Sequence, residues 1–222
     1  MSSIAASPSM PQSRPVVGFY TDELGRVRPI TSPAGRVRAN LVRKAEQILG
    51  YSIPADKRGS VSKVLAHLKR KVMGRQGKGG KRDFLKEEKS RLEFEKWMEE
   101  HPEEVKRAIL ESGVFSAERE VEVGGEWDIE RLERVLEGEA MKAWERGARI
   151  EVWKGKRKSK GKLRWVYRTE GSITSYEVFG NRIRVRVSFP SPIRDEEEAL
   201  RSRIGYAVDY LGAKRGCIRR AR

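Results

Sequence analysis

Arg182, Arg184 and Arg186 alternate with the branched apolar residues Ile183, Val185 and Val187. In an extended strand successive side chains point to opposite faces. The three guanidiniums therefore share one face, and the aliphatic residues share the other with Phe189. Arg164 and Arg168 alternate in the same way with Leu163, Trp165 and Tyr167, as do Arg149, Glu151 and Trp153 with Ile150 and Val152. Like charges on neighbouring strands repel one another. A phosphate backbone laid across them makes the arrangement favourable by releasing its counterions. The chemistry that suits this spacing is polyanion binding, with Trp153 offering a ring on which a base can stack. The connection KGKRKSKGK, residues 154–162, adds Lys154, Lys156, Arg157, Lys158, Lys160 and Lys162 in a glycine-containing arm. Plainer readings stand beside this one. The arginine face also suits a solvated surface neutralised by Glu130, Glu133 and Glu137 of an acidic helix, and Trp153 also suits a core position at a sheet edge. Trp165, by its phase, belongs to the core.

Other residues that could carry chemistry are few. His67 and His101 are the two histidines and Cys217 the one cysteine, so no disulfide forms within the chain and no His–Cys zinc spacing exists. GRQGKGGKR, residues 74–82, is no phosphate loop. Gly74 stands one residue too far from Gly80 and Lys81, Arg82 replaces the required hydroxyl, and a helix precedes it. The acidic pairs at Asp128 and Glu130 and the run 195–198 fall at expected helix starts, where carboxylates serve the macrodipole and caps. Glu151 followed by Lys154 has the wrong spacing for the carboxylate and lysine of a nuclease. No cofactor is implied, and an enzyme is not the favoured reading.

Charge organises the elements that position these residues. The chain of 222 residues has 48 Lys and Arg against 32 Asp and Glu, a net charge of +16 and a pI near 10.1, the footprint of a polyanion binder. Residues 1–82 carry +13, residues 83–148 carry −9, and residues 149–222 carry +12. This suggests four regions. Residues 1–16, rich in Ser and Pro, are expected to be disordered. Residues 17–82 form a basic module of a β-hairpin and two helices, ending in a Gly/Lys linker. Residues 83–148 are acidic and helical. Residues 149–222 form a basic antiparallel sheet with a final helix and a basic tail.

Within the first module, short strands flank a turn at 22–25. A helix opens at Pro33 and stops at Gly50, and a second runs from an N-cap at Ser60 to Met73. Val61, Val64, Leu65, Leu68 and Val72 stripe the second helix, with Lys63, Lys69, Arg70 and Lys71 mostly off the stripe. The pair resembles a helix-turn-helix poorly, because a ten-residue connection is expected. Further helices are predicted at 83–99, 103–112 and 127–146, the last with Ile129, Leu132, Val135, Leu136 and Trp144 inward. Residues 113–126 have no clear period. Strands are predicted at 149–154, 162–168, 172–179 and 182–189, with a tight turn at Gly180 and Asn181. A single helix over 195–211 and an exposed tail from Lys214 complete the chain.

The fold class expected is α+β: a helical N-terminal and central region followed by a four-stranded antiparallel meander covered by helices. The function expected is nucleic-acid binding, DNA ahead of RNA, mainly through phosphate contacts. A structural or assembly protein of a virion or chromatin is the first alternative and a metal-dependent nuclease the second. An acidic protein partner or a homo-oligomer stays open. No run approaches 18 apolar residues and no apolar leader opens the chain, so no membrane partner is implied and a cytoplasmic location is expected. Scarce Asn and Gln beside abundant Glu, Lys and Arg are the balance of a hyperthermophile.

Overall fold

The computed structural model describes residues 18–21, 27–30, 33–74, 84–154 and 162–220. The expectations for residues 1–16, for the turn at 22–25 and for the linker beyond Gly74 lie outside them. So do Lys156, Arg157, Lys158 and Lys160.

Strands β1 (Gly18–Thr21) and β2 (Val27–Ile30) pair antiparallel. Helices α1 (Pro33–Leu49), α2 (Ala55–Met73), α3 (Phe84–Glu100) and α4 (Pro102–Ser112) follow. They enclose one apolar cluster built from Leu41, Ala45, Ile53, Val61, Leu65, Phe94, Met98, Val105 and Ile109. Gly50, at φ 75°, ends α1 in the left-handed conformation that glycine adopts without a steric penalty. Helix α2 starts five residues before Ser60, which lies inside it. Gly59 lowers helix propensity by about 1 kcal/mol, which hides the early start in the sequence. Tertiary bonds override it. The Pro54 carbonyl accepts from the N–H groups of Lys57 and Arg58, and the Arg58 guanidinium donates to Glu46 at 3.2 Å and to the Ile53 carbonyl at 3.1 Å. Glu46 also accepts from the Ile53 N–H at 2.8 Å, so one carboxylate ties α1 to the start of α2. The connection is residues 50–54, half the expected length.

The region without a clear period holds β3 (Phe115–Glu122) and β4 (Gly125–Trp127), leading into α5 (Ile129–Glu145). Strands β5 (Arg149–Lys154), β6 (Lys162–Arg168), β7 (Ile173–Phe179) and β8 (Arg182–Phe189) form the expected meander. The sheet nevertheless has five antiparallel strands, in the order β3-β8-β7-β6-β5, because β3 returns to pair with β8. Acidic residues are uncommon in strands, and Arg119 interrupts the apolar phase of Phe115, Ala117 and Val121, so β3 is weakly marked locally. Leu163, Trp165, Tyr176, Val178, Ile183, Val185 and Val187 face a second apolar cluster, covered by Leu132 and Leu136 of α5 and by Leu200, Ala207 and Leu211 near the C-terminus. The fold is mixed helix and sheet, as expected in outline.

Three expected details change. Trp144 does not face the core but is 78% exposed, with Met141 beside it on the helix surface at 74%. The final helix is α-helical only over α6 (Glu196–Gly205) and continues as a π-helix over Tyr206–Lys214, stacking Tyr206 on Tyr210 at 5.6 Å. The tail is not loose from Lys214 onward. Ile218–Arg220 forms β9 against β4, and Cys217 is fully buried. At Gly125 a side chain would meet the Arg219 carbonyl, 2.1 Å from the position of a Cβ, so this pairing needs glycine.

Candidate nucleic-acid interface

Register places the outward residues of the five strands in rows. One row reads Trp153, Arg164, Glu177, Arg184 and Glu120 across β5, β6, β7, β8 and β3. The next reads Glu151, Val166, Ser175, Arg186 and Glu118, and another Lys162, Phe179, Arg182 and Glu122 from β6 to β3. Arg149 and Arg168 open a fourth. The expected arginine face therefore exists, but it carries carboxylates from Glu118, Glu120, Glu122, Glu151 and Glu177 as well. Val166, in its middle, is 3% exposed, so the long side chains around it lie along the sheet rather than standing off it.

These carboxylates divide the site residues into two groups. Arg184 reaches Glu120 at 2.8 Å, with Glu118 and Glu177 each at 3.5 Å. The hydrogen bond to Glu120 holds its pKa above the ordinary arginine value, and the negative charges of Glu120, Glu118 and Glu177 act in the same direction. Arg182 binds Glu122 at 2.7 Å and Glu120 at 3.3 Å, and Arg168 lies 3.6 Å from Glu151. Arg186 has a different partner. Its guanidinium donates to Ser116 Oγ at 3.1 Å and to the Gly113 carbonyl at 3.4 Å, at the C-terminal end of α4. A cation there complements the helix dipole. Lys154 leaves the face altogether. It shares phase with Ile150 and Val152, points to the α5 side and bonds Glu133, which raises its pKa. Of the three neutralising glutamates expected on α5, Glu133 thus acts, but on Lys154. The arginines are neutralised mainly from β3.

The second group is Arg149, Trp153, Lys162 and Arg164, on β5 and the start and middle of β6. None of its three cations has a carboxylate partner among the described residues. Trp153 is 45% exposed, on the outer face rather than in the core. Arg164 lies over its ring at 5.9 Å from the centroid. Lys162 lies over the Phe179 ring at 5.6 Å, and Arg184 reaches the same ring at 5.6 Å. The corner where β5 ends and β6 begins is thus a patch of two aromatic rings with cations across their faces. Phe179 is a member the sequence reading omits. Its signal is phase: Thr174, Tyr176 and Val178 point inward, so Phe179 points outward.

Among the described residues no group of three or more His, Cys, Asp or Glu side chains is arranged to hold a metal ion, and no helix is long and apolar enough to cross a membrane. Compared with known proteins, the chain matches no family model, no curated protein and no solved structure.

Proposed function

We propose that this chain is a nucleic-acid-binding protein that holds a strand by its phosphates at the β5–β6 corner of the sheet. The observation that supports it is the contrast across one face. Toward β3, Arg182 and Arg184 are neutralised by glutamates, whereas Lys162 and Arg164, beside the exposed ring of Trp153, and Arg149, at the other end of β5, have no ion pair among the described residues. Unneutralised cations attract phosphates, and exposed aromatic rings accept stacked bases of any sequence. Both serve sequence-tolerant binding better than base-specific reading. DNA is taken ahead of RNA as the ligand.

The test is equilibrium binding of the full chain to matched single-stranded DNA, duplex DNA and RNA of random sequence over a series of salt concentrations. The reading expects log K to fall linearly with log salt for the preferred ligand, and tighter binding to nucleic acid than to polyglutamate of equal charge. Equal affinity for polyglutamate, or no binding to any of the three at low salt, overturns it.

A further inference from the structure

A second basic surface lies in the helical module, and its cations have no ion pair among the described residues. On α2, Lys63, His67, Arg70 and Lys71 are all exposed. At 3.6 residues per turn they fall on one stripe, opposite Val61, Leu65 and Leu68, which are buried. Lys69 is turned aside toward Glu87, Glu88 and Glu93 of α3, half-buried. Lys63, Arg70 and Lys71 have no ion pair among the described residues, although α3 and α4 are rich in carboxylates. Arg70 is steadied by a bond from its Nε to the Ala66 carbonyl at 3.2 Å. Arg70 and Lys71 also suit the last helical turn, but Lys63, two turns earlier, gains nothing from the dipole. From Lys63 to Lys71 the stripe runs about 12 Å along the axis.

The surrounding architecture selects the polyanion. The helix has 19 residues and packs on α1, α3 and α4 through one side. It follows α1 after residues 50–54, a turn tightened by Glu46 and Arg58, so the pair is much closer to a helix-turn-helix than a ten-residue connection allows. The B-form major groove, about 12 Å wide, admits an α-helix, whereas the A-form major groove is too narrow and deep.

We infer that α2 is a duplex-DNA contact: its stripe of Lys63, His67, Arg70 and Lys71 lies in or along the major groove, on a surface separate from the sheet corner. This surface supplies a preference for B-form duplex that the sheet corner, a platform for a strand, does not provide.

The test uses the full chain with Lys63→Gln, Arg70→Gln and Lys71→Gln together. Its probes are a random-sequence DNA duplex, the matching RNA duplex and the matching single-stranded DNA, titrated over a salt series. The expected result is a salt slope on duplex DNA shallower by about two to three units, near 0.9 for each lost phosphate contact, with RNA duplex and single-stranded DNA changed by less than one unit. An unchanged slope on duplex DNA overturns the inference, and so does an equal loss on the RNA duplex. Should the triple variant melt early through loss of the last-turn cations, Lys63→Gln alone is read instead. It is expected to flatten the duplex-DNA slope by about one unit, and no change overturns the inference. Arg149→Ser, Lys162→Ser and Arg164→Ser, combined in a second protein, separate the two surfaces. If that protein binds as wild type while the α2 variant loses duplex DNA, the sheet reading fails and the α2 inference stands. The reverse result sinks the α2 inference alone.

Discussion

Trp153 and Arg164 face each other across the β5–β6 ladder, and their pairing decides what the corner can hold. A guanidinium over an indole leaves the far face of the ring free for a base. Trp153→Ala is expected to cost about 1–3 kcal/mol in single-strand affinity and markedly less on duplex, measured by fluorescence anisotropy. Equal loss on both would mean that the ring contacts the backbone instead. Replacing Arg182 and Arg184 by serine acts differently, because it frees Glu177, opposite Arg164, and Glu118, Glu120 and Glu122 on the other edge of the same face. Single-strand binding, read by the same anisotropy, is expected to weaken through the repulsion of those carboxylates, and an unchanged affinity would show that they lie too far from the ligand to act. The two-residue alternation alone assigns the outward phase of Arg149, Arg164, Arg182, Arg184 and Arg186. It also assigns Lys154 to the helix side and Phe179 to the outer face. What the alternation does not carry is neighbour identity. The glutamates that neutralise β8 come from a strand some sixty residues away in sequence, as the separation of 64 between Arg184 and Glu120 records.

Asp128 shows how one side chain fixes an element and its neighbour together. It caps α5 by accepting from the Arg131 N–H at 3.1 Å, and it accepts from Arg219 of β9 at 2.9 Å. Burial works to raise its pKa, but the Arg131 bond and the Arg219 guanidinium outweigh this and hold the carboxyl below its ordinary value. A depressed folded-state pKa contributes stability that is present above the unfolded value, near 3.9, and lost as pH falls through the folded value. Asp128→Ala should therefore lower stability by about 1 kcal/mol at neutral pH, about 2–4 °C in melting temperature for a chain of this size. Below pH 3 the difference from wild type should shrink, and a difference that is constant with pH would exclude the ion pair as the cause. Elements with a strong period, α1, α5 and the meander of β5 to β8, are readable from sequence because burial repeats at 3.6 or 2 residues. β3, β4 and β9 are not, because long-range pairing holds them rather than local pattern. Trp144 follows the buried Ala143 by one residue, about 100° of helix rotation, so it turns away from the face that Leu132, Leu136 and Ala143 bury.

The two apolar clusters meet where Tyr51, in the connection after α1, touches the start of β3 and the end of β8. Its ring packs edge-on against Phe115 at 6.0 Å, and its hydroxyl donates to the Pro190 carbonyl at 2.6 Å. Burial pushes the phenol pKa up to about 12, so it remains a donor throughout the neutral range. Tyr51→Phe keeps the ring contact and removes the bond. Urea unfolding is expected to show a loss of about 0.5–1.5 kcal/mol, and an unchanged midpoint would show that the hydroxyl bond does not help join the clusters. At this scale the sequence also carries a pattern that survives folding: basic segments on either side of an acidic one. Folding places part of the acidic segment, β3, at the edge of the basic sheet beside β8, and cations without an ion pair among the described residues include those of β5 and β6 and those of the α2 stripe. The most direct measurement is therefore the salt dependence of single-stranded DNA binding by the protein with Arg149→Ser, Lys162→Ser and Arg164→Ser. A slope shallower than wild type by about two units, near 0.7 for each lost phosphate contact, with an unchanged melting temperature, is the predicted result. An affinity and slope equal to wild type in a normally folded variant would contradict it.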